Sequence, residues 1–250
     1  MKRTLILITI LPVLFLTLTQ VSCVGMRGNF PSLAPEPTVT GSSNISTWEY
    51  DFANFTNVVV SSAFVVDISQ SDSYSVSVMA NDNLTDYLNV YQRGETIYVG
   101  LKLASYRNVQ TEAEITMPQI TSLELSGASE GNIGGFSSSE SFDLKLSGAS
   151  SLWGDIESGD CNIHLSGASG VELNGSGHDL DIHASGASQV NLADYFVNNA
   201  NVKLSGASSA YLNLDGRLDA NLSGASRLKY TGEPSLGSIN TSGGSTVGAQ

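Results

Sequence analysis

Three groups of residues in this chain have the types and spacing that chemistry uses. Ser226 and Lys229 stand in the order Ser-Arg-Leu-Lys, the Ser-x-x-Lys arrangement in which a lysine beside a serine serves acyl transfer. That chemistry wants a helix to bring the two side chains together, and here the pair falls where a turn runs into an alternating strand. His164 and His183 form the second group, with Asn162 and Asp181 two residues before them. Two imidazoles and a carboxylate could hold a divalent transition metal. Equivalent positions elsewhere carry Lys, Glu and Asn, which reads as a solvated surface column. Trp153 and Tyr211 are the third group, aromatic rings expected to point outward, where they could stack on sugars. A serine repeated six times with no recurring histidine is better read as a turn than as a nucleophile. No catalytic residue, cofactor or metal site is assigned from the sequence.

The elements that carry these residues come from one repeat. Ser-Gly-Ala-Ser begins at Ser126, Ser147, Ser166, Ser185, Ser205 and Ser223, and Ser242-Gly243-Gly244-Ser245 closes the series, with offsets of 21, 19, 19, 20, 18 and 19 residues. A period near 20 marks a stacked architecture. One residue before each first serine stand Leu125, Leu146, Leu165, Ala184, Leu204 and Leu222; three before stand Leu123, Leu144, Ile163, Ile182, Val202 and Ala220. Five before stand Thr121, Phe142, Cys161, Leu180, Ala200 and Leu218. The intervening positions are polar, so one face of each strand is dry and the other wet. Leu152, Val171, Val190, Ala210 and Leu228 open a second strand after the motif. Ser-Gly-Ala-Ser is then a corner: Gly supplies a positive φ, Ser bonds backbone locally, and Ala is small enough to stack under itself.

One such rung cannot bury its apolar side alone, whereas stacked rungs pair their backbones and enclose a continuous core. The expected fold is therefore all-β, a parallel β-helix (β-solenoid) with rungs of about 18–21 residues. Residues 48–120 form its irregular N-terminal β part and 121–250 the repeat rungs. Cys161 lies in the inward column as a small buried hydrophobe, which sets aside a disulfide to Cys23. Alternation of Asp143, Asn162, Asp181, Asn201 and Asp219 avoids stacking like charges directly.

Lys2 and Arg3 followed by an apolar stretch from Thr4 to Val21 read as a signal peptide over residues 1–23. Cys23, after Gln20-Val21-Ser22, is a candidate lipidation site resembling a bacterial lipobox; ordinary signal-peptidase cleavage or a retained anchor are the alternatives. Residues 24–47, with Pro31, Pro35 and Pro37, read as a flexible linker. A net charge of −13 repels phosphates and excludes a nucleic-acid role.

The exported N-terminus, the alternating N-terminal strands and the recurring Leu-Ser-Gly-Ala-Ser corners together resemble the bacterial "putative auto-transporter adhesin, head GIN domain" family over residues 50–245. The resemblance implies a right-handed helix, a place in the bacterial envelope and, by its name, adhesion. It supplies no functional residues to carry across. The expected function is a non-enzymatic surface module binding polysaccharide or an extracellular or surface protein. Contact with the membrane is expected only through the N-terminal anchor. A carbohydrate-active enzyme on a β-helix scaffold is the first alternative. A structural envelope protein that self-associates through its solenoid ends is the second.

Overall fold

The computed structural model describes residues 36–250. The signal segment, the lipidation candidate Cys23 and the first part of the linker lie outside the described residues. No helix among the described residues is long and apolar enough to cross a membrane.

The repeats fold as the spacing predicts. The strands that precede the corners (Ser122–Leu125, Phe142–Leu146, Cys161–Leu165, Asp179–Ala184, Asn199–Leu204, Arg217–Leu222 and Ser235–Thr241) stack in parallel in a ten-stranded sheet, the leading sheet. Those that follow (Glu130–Ser137, Ser151–Glu157, Gly170–Ser176, Gln189–Val197, Ser209–Leu214, Arg227–Thr231 and Thr246–Ala249) stack in an eleven-stranded trailing sheet. Registers follow the repeat: Leu146 pairs with Leu165, Leu165 with Ala184 and Ala184 with Leu204. Every inward position of the two columns nearest the corner is buried. Each enclosed Leu, Ile or Val contributes roughly 1.5–3 kcal/mol before chain entropy is set against it.

The corner turns only one of its four residues inward. Its alanines are exposed, and the buried member is the final serine, from Ser129 to Ser226. Each of those hydroxyls donates to the carbonyl of the first serine of its own motif at 2.8–2.9 Å. The dry side of the corner thus needs a small side chain that can satisfy itself, which Ser does and Ala need not. Backbone pairing continues around the bend, for instance from the Ala187 amide to the Gly167 carbonyl at 2.8 Å.

The N-terminal part holds an eighth corner, outside the Ser-Gly-Ala-Ser series. Ser61-Ser62-Ala63-Phe64 sits directly against the Ser126 corner: Ser126 donates to Val60 and Ala63 donates to Gly127. Val58 and Val60 pair with Leu123 and Leu125, and Val65 with Glu130. Phe64 takes the place of the buried serine and is fully enclosed. After this rung the chain leaves the stack and returns at residue 121, building the solenoid's blunt end. Thr96–Leu101 and Thr111–Met117 pair in parallel on the far side of the first rung. Leu88–Arg93, Ser75–Asn81 and Ile45–Tyr50 then close the end in antiparallel fashion. Ser75–Asn81 runs directly into a short 3-10 helix, Asp82–Tyr87, whose Leu84 is buried.

Folded chain also begins earlier than the linker boundary at residue 47. Thr38–Thr40 pairs with Ser105–Arg107, and Trp48 and Tyr50 of Ile45–Tyr50 pack against the core. The Pro- and Ser-rich composition of this stretch masks a short alternation whose partners are far off in sequence.

Candidate functional site

Outward columns of the two sheets carry the side chains available for function. On the trailing sheet, parallel register brings Asn132, Trp153, Glu172, Asn191, Tyr211 and Lys229 into one file. Trp153 is 43% exposed and Tyr211 half-buried, so the two aromatics expected to face outward do so. They stand three rungs apart, about 14 Å at the usual inter-strand spacing. Between and beside them Glu172, Asn191, Gln189 and Ser209 line a groove of about 640 Å³. Glu172 is the only acidic side chain in that lining.

The leading sheet presents Glu124, Lys145, His164, His183, Lys203 and Asn221 in one file along a second groove, again about 640 Å³. The rings of His164 and His183 stack with centroids 5.0 Å apart. His183 Nε2 lies 3.0 Å from Asp181 and 3.3 Å from the Lys203 ammonium. His183 thus meets a carboxylate and an ammonium of the protein's own.

Among the described residues, three metal-type ligands meet at a different place, Asp160, His178 and Asp179, with ligand atoms within 4.8 Å of one another. His178 Nδ1 is 3.2 Å from Asp160 and 3.6 Å from Asp179. Asp160 and Asp179 are one repeat apart, a spacing visible in the sequence. Asp160 and His178 are exposed and Asp179 partly so, and the three form an ordinary polar surface cluster.

The Asp/Asn column is a hydrogen-bonded ladder. Asn162 donates to Asp143 at 2.8 Å and Asn201 to Asp181 at 2.6 Å. At its end a bidentate bond from Arg217, joined by the Ser238 amide, holds the Asp219 carboxyl below the usual range. Alternation thus gives every amide a carboxylate to donate to, a structural role.

The serine candidates are not nucleophiles. Ser226 is buried with its hydroxyl donated to the Ser223 carbonyl, while Lys229 reaches toward the Tyr211 ring. Gly127-Ala128-Ser129-Glu130-Gly131 spells Gly-x-Ser-x-Gly. Ser129 is nonetheless wholly buried, donates to Ser126 and leads into a strand. A nucleophile elbow needs an exposed serine at a strand-to-helix turn.

Cys161 is enclosed in the core beneath Tyr195, whose hydroxyl bonds Ser158 at 2.8 Å. Burial pushes its thiol up to about 12, against a lowering hydrogen bond from Tyr195 and with a small further push from the Asp143 carboxylate. The thiolate is the reactive form, so at pH 8 native Cys161 should alkylate at least about 100-fold more slowly than in denaturant. Timed iodoacetamide labelling followed by mass spectrometry of the peptide containing Cys161 checks this; equal rates would place Cys161 outside the core.

A family model described as "Putative auto-transporter adhesin, head GIN domain" matches residues 54–234. Several solved structures share the fold. A "putative adhesin" from Bacteroides fragilis superposes with a TM-score of 0.80 at 18% identity, covering 85% of this chain and 100% of its own. A "putative lipid binding protein" from Parabacteroides distasonis gives 0.71 at 15%, covering 85% and 99%. A "putative adhesin" from Parabacteroides merdae gives 0.68 at 17%, covering 86% and 99%. No curated protein matches the chain.

Proposed function

The chain belongs to the "putative auto-transporter adhesin, head GIN domain" family, and from that premise we propose that it is a non-enzymatic surface module that holds polysaccharide along the outer face of its solenoid. The observation that carries this reading is the trailing-sheet groove with Trp153 and Tyr211 at its two ends. Aromatic faces offer apolar platforms to sugar rings, and Glu172, Asn191 and Gln189 between them offer donors and acceptors for hydroxyls. The groove crosses successive rungs and so suits an extended chain rather than a compact ligand.

Binding fits this groove better than cleavage. Glycoside hydrolysis calls for two carboxyl groups flanking the bond, and Glu172 stands alone in the lining. Export and lipid anchoring through Cys23 belong to the same proposal, since an anchored solenoid would hold its grooves clear of the membrane.

The test is binding of residues 36–250 to an array of polysaccharides and matrix proteins, with mass spectrometry of any products. Saturable binding without turnover is expected, weakened about 10-fold or more by Trp153→Ala or Tyr211→Ala, as loss of one stacking platform implies. Binding unchanged in both variants would remove this groove from the proposal, and product formation would replace the binding role with an enzymatic one.

A further inference from the structure

The outward files of the two sheets differ in charge. The trailing file continues from Asn132 to Asp67 and Glu114, so that with Glu172 it sets three carboxylates against one ammonium, Lys229. The leading file sets Lys145 and Lys203 against one carboxylate, Glu124, with the two imidazoles between the lysines. None of the ion pairs among the described residues involves either lysine. The carboxylates of the next column are already engaged. Asp143 accepts from Asn162, and Asp181 meets both Asn201 and His183. Two exposed ammoniums thus stand uncommitted to any carboxylate, three rungs or about 14 Å apart. A row of hydroxyls borders the same groove, from the first serines of the corners, Ser147, Ser166, Ser185, Ser205 and Ser223. The fold uses the carbonyls of these serines to hold the final serine of each motif. Of their five hydroxyls, only that of Ser185 has a partner among the described residues, donating to the Leu165 carbonyl at 3.5 Å. Corner geometry therefore accounts for the last serine of the motif and not for the hydroxyl of the first.

We propose that the leading-sheet groove is a second binding site, for a polysaccharide that bears carboxylate or sulfate groups. Lys145 and Lys203 pair with acid groups of the polymer. His164, His183 and the serine hydroxyls between them bond its sugar hydroxyls. Cations spaced this widely, with hydrogen-bonding groups between, suit a chain that is acidic at some units and hydroxylated at the rest. They do not match the unbroken charge of a nucleic acid. The net charge of −13 does not forbid an anionic partner here. At physiological ionic strength exposed charges more than about 8 Å away are largely screened, so the ammoniums of the file itself decide. The site shares no lining residue with the trailing groove and does not rest on what that groove binds.

Calorimetric titration of residues 36–250 with two matched pairs of polymers tests this: polygalacturonate with its methyl ester, and dextran sulfate with dextran. Saturable binding to at least one acidic polymer is expected, at least about 10-fold tighter than to its uncharged counterpart. Which of the two binds distinguishes carboxylate from sulfate recognition. Raising salt from about 50 to about 300 mM should weaken the interaction several-fold. The double variant Lys145→Gln, Lys203→Gln should weaken it at least about 10-fold. Both side chains are exposed, so that variant should keep the wild-type melting temperature, and the loss then reads binding apart from folding. Arg107→Gln removes an exposed cation from another part of the surface and should bind as the wild type does. Acidic polymers that bind no more tightly than their uncharged counterparts would overturn the proposal. So would an affinity unchanged in the double lysine variant, or an equal loss in Arg107→Gln, which would make the attraction one of overall charge.

Discussion

Leu165→Asp is expected to abolish cooperative folding of residues 36–250, leaving no sigmoidal transition in circular dichroism on heating. Leu165 is 3% exposed, halfway along the stack, paired with Leu146 on one side and Ala184 on the other. The substitution loses about 1.5–3 kcal/mol of side-chain burial. It also places a carboxyl among aliphatic side chains where nothing can bond it, at roughly 4–8 kcal/mol for an unpartnered polar group in a hydrocarbon-like site, even if it takes up a proton. The sum matches the whole net stability of an ordinary domain, about 5–15 kcal/mol. A solenoid suffers more than a globule from such a lesion, because each rung is held only by its neighbours and a fault in the middle divides the stack. Leu165→Ala, by contrast, repeats what the next rung already carries at Ala184 and should fold with a loss of about 2–4 kcal/mol. An unchanged melting temperature in Leu165→Asp would refute the register.

The legibility of this fold in its sequence divides along the same line. Where rungs repeat by translation, each inward position is sampled six times, so a single exception such as Ala184 does not hide the column. The outermost position is likewise readable despite Thr121. The blunt end offers no such averaging. Its antiparallel pairings join residues as distant as Ile45 and Asn81, and nothing in the local pattern announces them. The corner at Ser61–Phe64 escaped because Phe64 replaces the serine and about 50 residues intervene before the stack resumes. Inside the motif, spacing shows that small residues recur but not which one faces inward. Outward columns were legible as columns and not as sites. Parallel register predicts that Trp153 and Tyr211 share a file, yet the sequence has no signal for a groove. Register likewise puts His164 and His183 side by side, whereas the approach of Lys203 to His183 has no signal in the repeat. His178 lies just outside the repeated columns, so its meeting with Asp160 and Asp179 depended on the shape of the far bend.

The second large effect is expected at the corner ladder, from a change of one methyl group. Gly148, Gly167, Gly186, Gly206 and Gly224 all take φ between +73° and +79°, so any Cβ there meets the left-handed penalty of about 1–2 kcal/mol. At Gly186 a second cost is added. A Cβ would stand 2.3 Å from the Gly167 carbonyl oxygen, the same oxygen that accepts the Ala187 amide at 2.8 Å. Relief requires the rungs to part at the corner, which loses that backbone bond at about 0.5–1.5 kcal/mol. Gly127 offers an internal comparison. Its φ is +66°, but a Cβ there would first meet the Ser62 amide nitrogen at 3.1 Å, a contact that a small shift relieves. Gly186→Ala should therefore cost about 2–3.5 kcal/mol and Gly127→Ala about 1–2 kcal/mol, measured by urea unfolding with the slope checked for constancy. The difference isolates crowding from backbone conformation, because both variants bear the conformational penalty. Equal losses would mean that glycine is required at these corners for its φ alone. A clear gap would mean that the recurring Gly also sets how closely successive rungs approach.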